Sequence, residues 1–242
     1  MIPRVHFAAT LREAGEVTLG PEQSHYLARV LRLRVGDPVQ LFDGQGGRCR
    51  ALVQEASARA ARLRVVATET PAAESPLRVT LAQCVSASEK MDWTVEKAVE
   101  LGAAAIQPLL SQRSVARFDE ARARRRLEHW HRLIVAACMQ CGRDRLPALA
   151  APLPLADWLQ GREPGASAVV LAPGAELALS DFEPLGAQVD VLVGPESGLS
   201  DDELASAQAH GFVPVGLGPR VLRTETAGLA ALAVLQSRFG DL

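Results

Sequence analysis

The chain has 242 residues, 48% of them hydrophobic, with four cysteines and a formal charge of −2. That suits one large domain, or a medium domain with a small appendage, and the apolar content is ample for a core. No run approaches the ~20 apolar residues that span a bilayer, no signal-peptide core follows Met1, and Cys49, Cys84, Cys138 and Cys141 lack a secreted disulfide spacing, so a reduced cytoplasmic protein is expected.

Taken in chain order, the first 70 residues read mostly as strands, at 4–7, 38–42, 48–58 and 62–70. Between them, EQSHYLARVLRL spaces Leu27, Val30 and Leu31 as a short amphipathic helix does. DGQGG separates two of the strands and signals a hairpin turn. Short strands around one helix predict a small β-barrel, and PAAESP at 71–76 reads as a linker.

From Leu77 the pattern changes to alternating strands and helices. LRVTLAQCV is a strand, and KMDWTVEKAVELG is a helix stopped at Gly102. AAIQPLL is the next strand, followed by a long helix over 121–141 with Trp130, Leu133, Ile134 and Ala137 on its apolar side. AVVLAP, VDVLVG and FVPVG supply three further strands. Ser200 with Glu203 forms a capping box, and a last helix from about Thr224 carries Leu229, Leu232, Ala233 and Leu235. Such alternation predicts an α/β fold, a mostly parallel sheet with helices on both faces.

The richest stretch is 189–240. Two apolar runs, 189–193 and 212–215, open into the glycine loops GPESG and GLGPR, and a helix follows each. Glycine-bearing turns at strand ends let backbone groups reach a small ligand directly. LRTET then sets Arg223, Thr224, Glu225 and Thr226 at the mouth of that cradle. GLGPRV lacks the third glycine of a dinucleotide fingerprint and has too little chain after it. GPESG is not the G-x-S-x-G elbow of a serine hydrolase. Cys138 and Cys141 form one C-x-x-C on a predicted helix, with no second pair to complete a zinc site, and read as buried structural thiols.

Charge is lopsided along the chain. Residues 1–145 hold 22 Arg/Lys against 16 Asp/Glu, residues 146–242 hold 4 against 12, and only Lys90 and Lys97 are lysines. Arginine grips phosphate bidentately and stacks on bases, so the basic half is compatible with RNA contact, and equally with a solvated surface. Arg113, Arg117 and the cluster Gln140, Gly142, Arg143 and Arg145 all follow strand or helix ends. Cations past a helix C-terminus also complement its dipole without any ligand.

SHYLARVLRLRVGDPVQLFDG, EKMDWTVEKAVELGAAAIQPLLSQRS, AACMQCGRDRLP, VGPESGLSDDEL and LGPRVLRTETA, in that order, resemble the 16S rRNA uridine-N3 methyltransferases of the SPOUT class nearly end to end. The resemblance implies a PUA-like RNA-binding barrel at 1–72 and, at 73–242, a SPOUT domain with a trefoil knot. It also implies S-adenosylmethionine as cofactor, no metal, a homodimer, and 16S rRNA of the small ribosomal subunit as partner. Cofactor binding then falls to Leu171, Gly194, Pro195, Glu196, Gly198, Leu217, Gly218, Leu222, Thr224, Thr226 and Ala227. RNA binding falls to Arg29, Arg32, Arg113, Gln140 and Arg143.

For transfer to uracil N3, the reacting atoms must be aligned and the imide proton must leave. Arg220 or Arg223 is expected to stabilise the developing anion, with Glu225 as proton acceptor or, alternatively, as a first-turn acid at the helix N-terminus. Two departures from the family pattern stand out: Ser197 in place of the second glycine of GPEGG, and Met139 in place of an acidic residue. Two other readings remain open at this level: a methyltransferase of the same class acting on tRNA, and a noncatalytic RNA-binding or ribosome-assembly protein.

Overall fold

The structure, a computed structural model, describes residues 2–9, 11, 15–114, 119–162 and 165–242. It divides into two compact units, residues 1–74 with 138–146, and residues 75–137 with 147–242.

In the first unit, β1 (Arg4–His6), β2 (Gly15–Thr18), β3 (Pro38–Phe42), β4 (Arg48–Glu55) and β5 (Arg62–Glu69) form one sheet in the order β1-β3-β4-β5-β2. β1 pairs with β3 in parallel, and the other neighbours are antiparallel. All five strands turn side chains onto a single core that holds Val5, Leu41, Ala51, Val53 and Leu63, with Val17 packed against it. Two register shifts between β4 and β5 bend the sheet around that core. The Asp43–Gly47 turn is the expected hairpin: Asp43 Oδ1 accepts the N–H groups of Gln45 and Gly47, each at 2.8 Å.

The expected helix is α1 (Pro21–His25) running into a π-helical turn, Tyr26–Val30, closed by Leu31 N–H on the Tyr26 carbonyl. The chain visits this unit a second time. Asp144, 1% exposed, accepts from Arg4 (2.9 Å) and from the Ala72 N–H (2.7 Å), and it pairs with Arg48 (3.2 Å). A buried carboxylate is tolerated only when paired in this way. The strand β2 and the return at 138–146 have no counterpart in the sequence reading.

The second unit contains β6 (Arg78–Cys84), α2 (Ser88–Glu100), β7 (Ala105–Leu110), α3 (Glu120–Cys141, its last turn clustering with the first unit), β8 (Ala148–Leu149), β9 (Leu153–Pro154), α4 (Leu155–Gly161), β10 (Ser167–Leu171), β11 (Gln188–Val193), α5 (Asp201–Ala209), β12 (Val213–Val215) and α6 (Thr224–Phe239). The sheet order is β12-β10-β11-β6-β7-β8, with β9 also on β7, and every pairing is parallel.

Alternation along the strands settles where the helices lie. Ala82, Cys84, Val170 and Leu192 share a core with Leu155 and Leu159 of α4 and Ala207 of α5. Leu81, Gln83 and Val193, of opposite parity, meet Gly228 of α6, where a Cβ would come within 3.0–3.4 Å of all three. Helices therefore cover both faces, as expected. The buried stripe of α6 is Thr224, Gly228, Ala231, Leu232 and Leu235, and Leu229 and Ala233, expected inside, are only half-buried. Close approach of the helix at Gly228 shifts the stripe by one position.

Candidate active site

Parallel strands bring their carboxyl ends to one side of the sheet, and there the second unit carries a cavity. A space of about 440 Å³ lies over three adjacent strand ends, β12, β10 and β11. Gly194, Pro195, Glu196 and Gly198 line it from the loop after β11, and Leu217, Gly218, Arg220 and Leu222 from the loop after β12. Leu171 contributes from β10, Arg223, Thr224 and Ala227 from the start of α6. These are twelve of the fourteen expected cofactor and catalytic residues.

Local chemistry explains the loops. Gly198 and Gly218 adopt φ of +72° and +87°, which an L side chain rarely takes. At Gly194 a Cβ would press to 3.1 Å from the Leu199 N, so a larger residue would have to push the folded-back loop outward. Ser197, one residue before the left-handed position, takes no positive φ, and its hydroxyl donates to the Arg113 carbonyl at 3.3 Å. The left-handed position of the loop thus falls on Gly198 and not on the serine.

Thr224 locks the two loops together. It is 6% exposed, donates to the Gly194 carbonyl at 2.6 Å, and accepts from Gln83 Nε2 at 2.9 Å. Glu203 closes the other side, satisfying both halves of the capping box with Ser200 and accepting the Gln112 N–H at 2.7 Å.

Two expected residues are not at the cavity. Thr226 points to solvent from the first turn of α6. Glu225 is also off the lining, its side chain 16% exposed, with Oε2 3.6 Å from Lys90 Nζ and no hydrogen bond. Lys90, which the sequence reading missed, does line the cavity and stands equally 3.6 Å from Glu196 Oε1. Burial raises the Glu196 carboxyl, but N–H groups of its own backbone and of Ala87, with the Lys90 charge, outweigh that and hold it below the usual carboxylate range. Other lining residues missed were Ala172, Pro173, Val193, Leu199, Leu204, Val215 and Val221. The Ala-Pro-Gly that ends β10 was the available signal for the third loop.

Arg220 and Arg223 are exposed, line the cavity, and have no protein partner among the described residues. The cavity thus presents two uncommitted guanidinium groups, a braced ammonium and one ionised carboxylate. Such a site binds a small molecule carrying both charges and offers cations to an anion forming beside it.

Of the expected RNA-binding residues, Arg29, Arg32, Gln140 and Arg143 belong to the first unit and Arg113 to the second. Arg29 and Arg32 lie exposed on and just after the π-helical turn, and Arg32 has a φ of +54°, the only positive value on a non-glycine among the described residues. Arg113, though exposed, reaches the Ser197 and Leu199 carbonyls at 3.3 Å. Gln140 is exposed. Arg143 departs from expectation: its guanidinium, 13% exposed, is paired with Glu74 at 2.5 Å, so it is committed within the first unit. Arg117 lies outside the described residues.

Burial pushes the Cys84 and Cys138 thiols up to about 12 and Cys49 up to about 11, and thiols held protonated are poor nucleophiles and ligands. Cys141, expected inside with Cys138, is exposed. Among the described residues no three His, Cys, Asp or Glu side chains gather as a metal site would need. No described helix is long and apolar enough to cross a membrane.

Comparison with known proteins gives the cavity its context. Residues 73–236 match an RNA methyltransferase domain and residues 19–66 an RNA methyltransferase PUA domain. Ribosomal RNA small subunit methyltransferase E of Synechocystis is 38% identical over 91% of this chain and 73% of its own length. The Mycobacterium tuberculosis protein of the same name is 33% identical over 99% and 94%. Among solved structures, ribosomal RNA small subunit methyltransferase E from Neisseria gonorrhoeae, bound to S-adenosyl methionine, is 35% identical with a TM-score of 0.94 over 100% of this chain and 99% of that one. A Legionella pneumophila methyltransferase in complex with SAM is 33% identical, with a TM-score of 0.95 over the full length of both. With both domain models matched and the likeness running end to end, the chain belongs to the ribosomal RNA small subunit methyltransferase E family.

Proposed function

We propose that the protein methylates uridine N3 in 16S rRNA of the small ribosomal subunit, using S-adenosylmethionine held in the cavity over the strand ends. The observation that carries this reading is the pair Arg220 and Arg223, uncommitted and lining a cavity that two glycine loops also line. The residues present fit the cofactor: about 440 Å³ of space, a glycine cradle in which Gly218 faces open room, and Glu196 as an ionised counter-charge for a cationic ligand. Gly194, Gly198, Leu217, Gly218 and Leu222 would hold it, with Leu171 and Ala227 as apolar walls. When bound, the cofactor supplies an activated methyl group on a sulfonium.

The chain's own residues then have two tasks. The loops orient the acceptor so that the N3 lone pair faces the methyl group, and such alignment contributes roughly 7–11 kcal/mol in favourable cases. As the N3–H proton passes to solvent water at the exposed mouth of the cavity, negative charge spreads onto the uracil carbonyl oxygens, and Arg220 and Arg223 stabilise it. Glu225 is better read as the partner of Lys90 than as the proton acceptor, because it does not line the cavity.

The molecule works in the cytoplasm as a homodimer, with RNA engaged by the first unit through Arg29 and Arg32. A trefoil knot is part of the same reading. It is supported by β12 lying at the sheet edge while α6 packs two and three strands away, on β11 and β6, and by Gly216 bonding the Leu177 carbonyl and the Leu179 N–H on the intervening chain. Light scattering is expected to give twice the 25.8 kDa of one chain.

The deciding experiment is single-turnover methylation of a small-subunit rRNA transcript by wild type and Arg223→Ala. Methyl transfer is expected to fall by 100-fold or more, the scale of losing a preorganised charge donor, while RNA affinity stays within a few-fold. An Arg223→Ala protein that methylates at the wild-type rate would remove the assignment.

A further inference from the structure

The first three turns of α3 carry a charge pattern that neither the cavity nor the expected RNA contacts use. Arg122, Arg125, Arg126 and His129 line one shallow surface depression, at the i, i+3, i+4 and i+7 spacing that shares a helix face. Arg124 and Arg132 add two further cations on the same helix. Trp130 and Ile134 beside this row are each 1% exposed, whereas Arg122 and Arg125 are exposed and Arg126 and His129 half-buried.

The acidic groups nearby are fewer than the arginines, and three of them already hold partners on this helix. Asp119 accepts the Arg122 backbone N–H at 2.7 Å. Asp92 of α2 accepts from His129 Nε2 at 2.8 Å and Trp130 Nε1 at 3.0 Å. Glu120 meets Arg124 at 3.2 Å with both side chains largely exposed, and Glu128 is the remaining acid on this stretch. Cations crowded three and four apart repel, and in the first turns of a helix they also oppose its dipole. Residues 119–132 hold five arginines against three acids, and a polyanion would balance that excess. The permanent cations of this face are all arginine and none lysine, which suits bidentate phosphate binding.

We propose that this face of α3 binds the phosphodiester backbone of the RNA substrate, as a contact of the catalytic unit's own, separate from Arg29 and Arg32. The inference rests on the rRNA methyltransferase reading above. Phosphate contact positions an RNA without reading its sequence, so the surface sets affinity and register, not choice of base.

The test uses full-length protein and a fluorescently labelled small-subunit rRNA transcript, titrated between 50 and 200 mM salt. Each neutralised phosphate contributes about 0.7–0.9 to the slope of log K against log salt. Arg122→Ala/Arg125→Ala/Arg126→Ala is expected to flatten the slope by about 2–3 units and raise KM for RNA, with kcat at saturating RNA and cofactor affinity unchanged. Alanine is the strongest helix former, so the exposed helix survives. The matched triple lysine variant is expected to keep the slope. An unchanged slope in the alanine variant, while wild type binds normally, overturns this surface alone, as does a changed mass by light scattering without a changed slope. Wild-type protein that binds no rRNA transcript overturns the functional reading together with it.

Discussion

At the scale of single residues, Lys90 organises more of the site than its position on α2 suggested. Its ammonium is 3.6 Å from one carboxylate on each of two segments, Glu196 on the β11 loop and Glu225 on the first turn of α6. Glu225 Oε2 is buried without a hydrogen bond, so Lys90 is the group that makes its charge tolerable there. Lys90→Met is expected to cost roughly 1–3 kcal/mol and lower Tm by several degrees, with weaker cofactor binding by calorimetry. Lys90→Arg is expected to recover most of both. Equal melting temperatures for wild type and Lys90→Met would show the brace to be idle. Neither residue type nor spacing marked Lys90, because its partners lie over 100 positions away in the chain. The glycines were legible for the opposite reason: each meets a purely local demand, a positive φ or a backbone approach, that the sequence states directly.

Elements follow the same division between local and distant causes. The capping box at Ser200 and Glu203, the Gly102 stop and the Asp43–Gly47 turn all formed as read, since each is settled within four residues. The short β8, β9 and α4, at most seven residues each, carry too little periodicity to be seen. Thr224 shows how a tertiary contact joins elements that were each legible alone. Its hydroxyl ties the end of β11 to the start of α6 and takes the buried Gln83 amide, whose Oε1 already lacks a partner. Thr224→Val preserves shape but leaves the Gly194 carbonyl and one Gln83 donor unmet. We expect a loss of about 1–3 kcal/mol and a cofactor affinity reduced in step, read by scanning calorimetry and titration. Loss of stability with full affinity would place Thr224 in the scaffold only.

Across the whole molecule, the uneven charge of the chain maps onto its two tasks. The basic first part builds the PUA unit and α3, and the acidic remainder builds most of the sheet and the cavity. What the sequence could not convey is the return of 138–146 to the first unit. That return depends on Arg4, Arg48 and the Ala72 N–H converging on Asp144 across some 70 to 140 positions. The cavity, by contrast, is lined by groups of the second unit alone, and a cofactor held there gives a measurable asymmetry. A ligand that binds only the native state stabilises it by about 2.7 kcal/mol at a hundredfold excess over Kd. For a chain of this size that corresponds to a rise of about 5–11 °C in Tm. If the two units melt separately in the calorimeter, only the transition belonging to residues 75–137 and 147–242 is expected to move. If they melt together, the single transition moves as a whole. Gly218→Val, which forces a β-branched residue into a left-handed position facing the cavity, is expected to abolish the shift. A wild-type melting curve unmoved by millimolar S-adenosylmethionine, with no heat of binding, would exclude the cavity as its site.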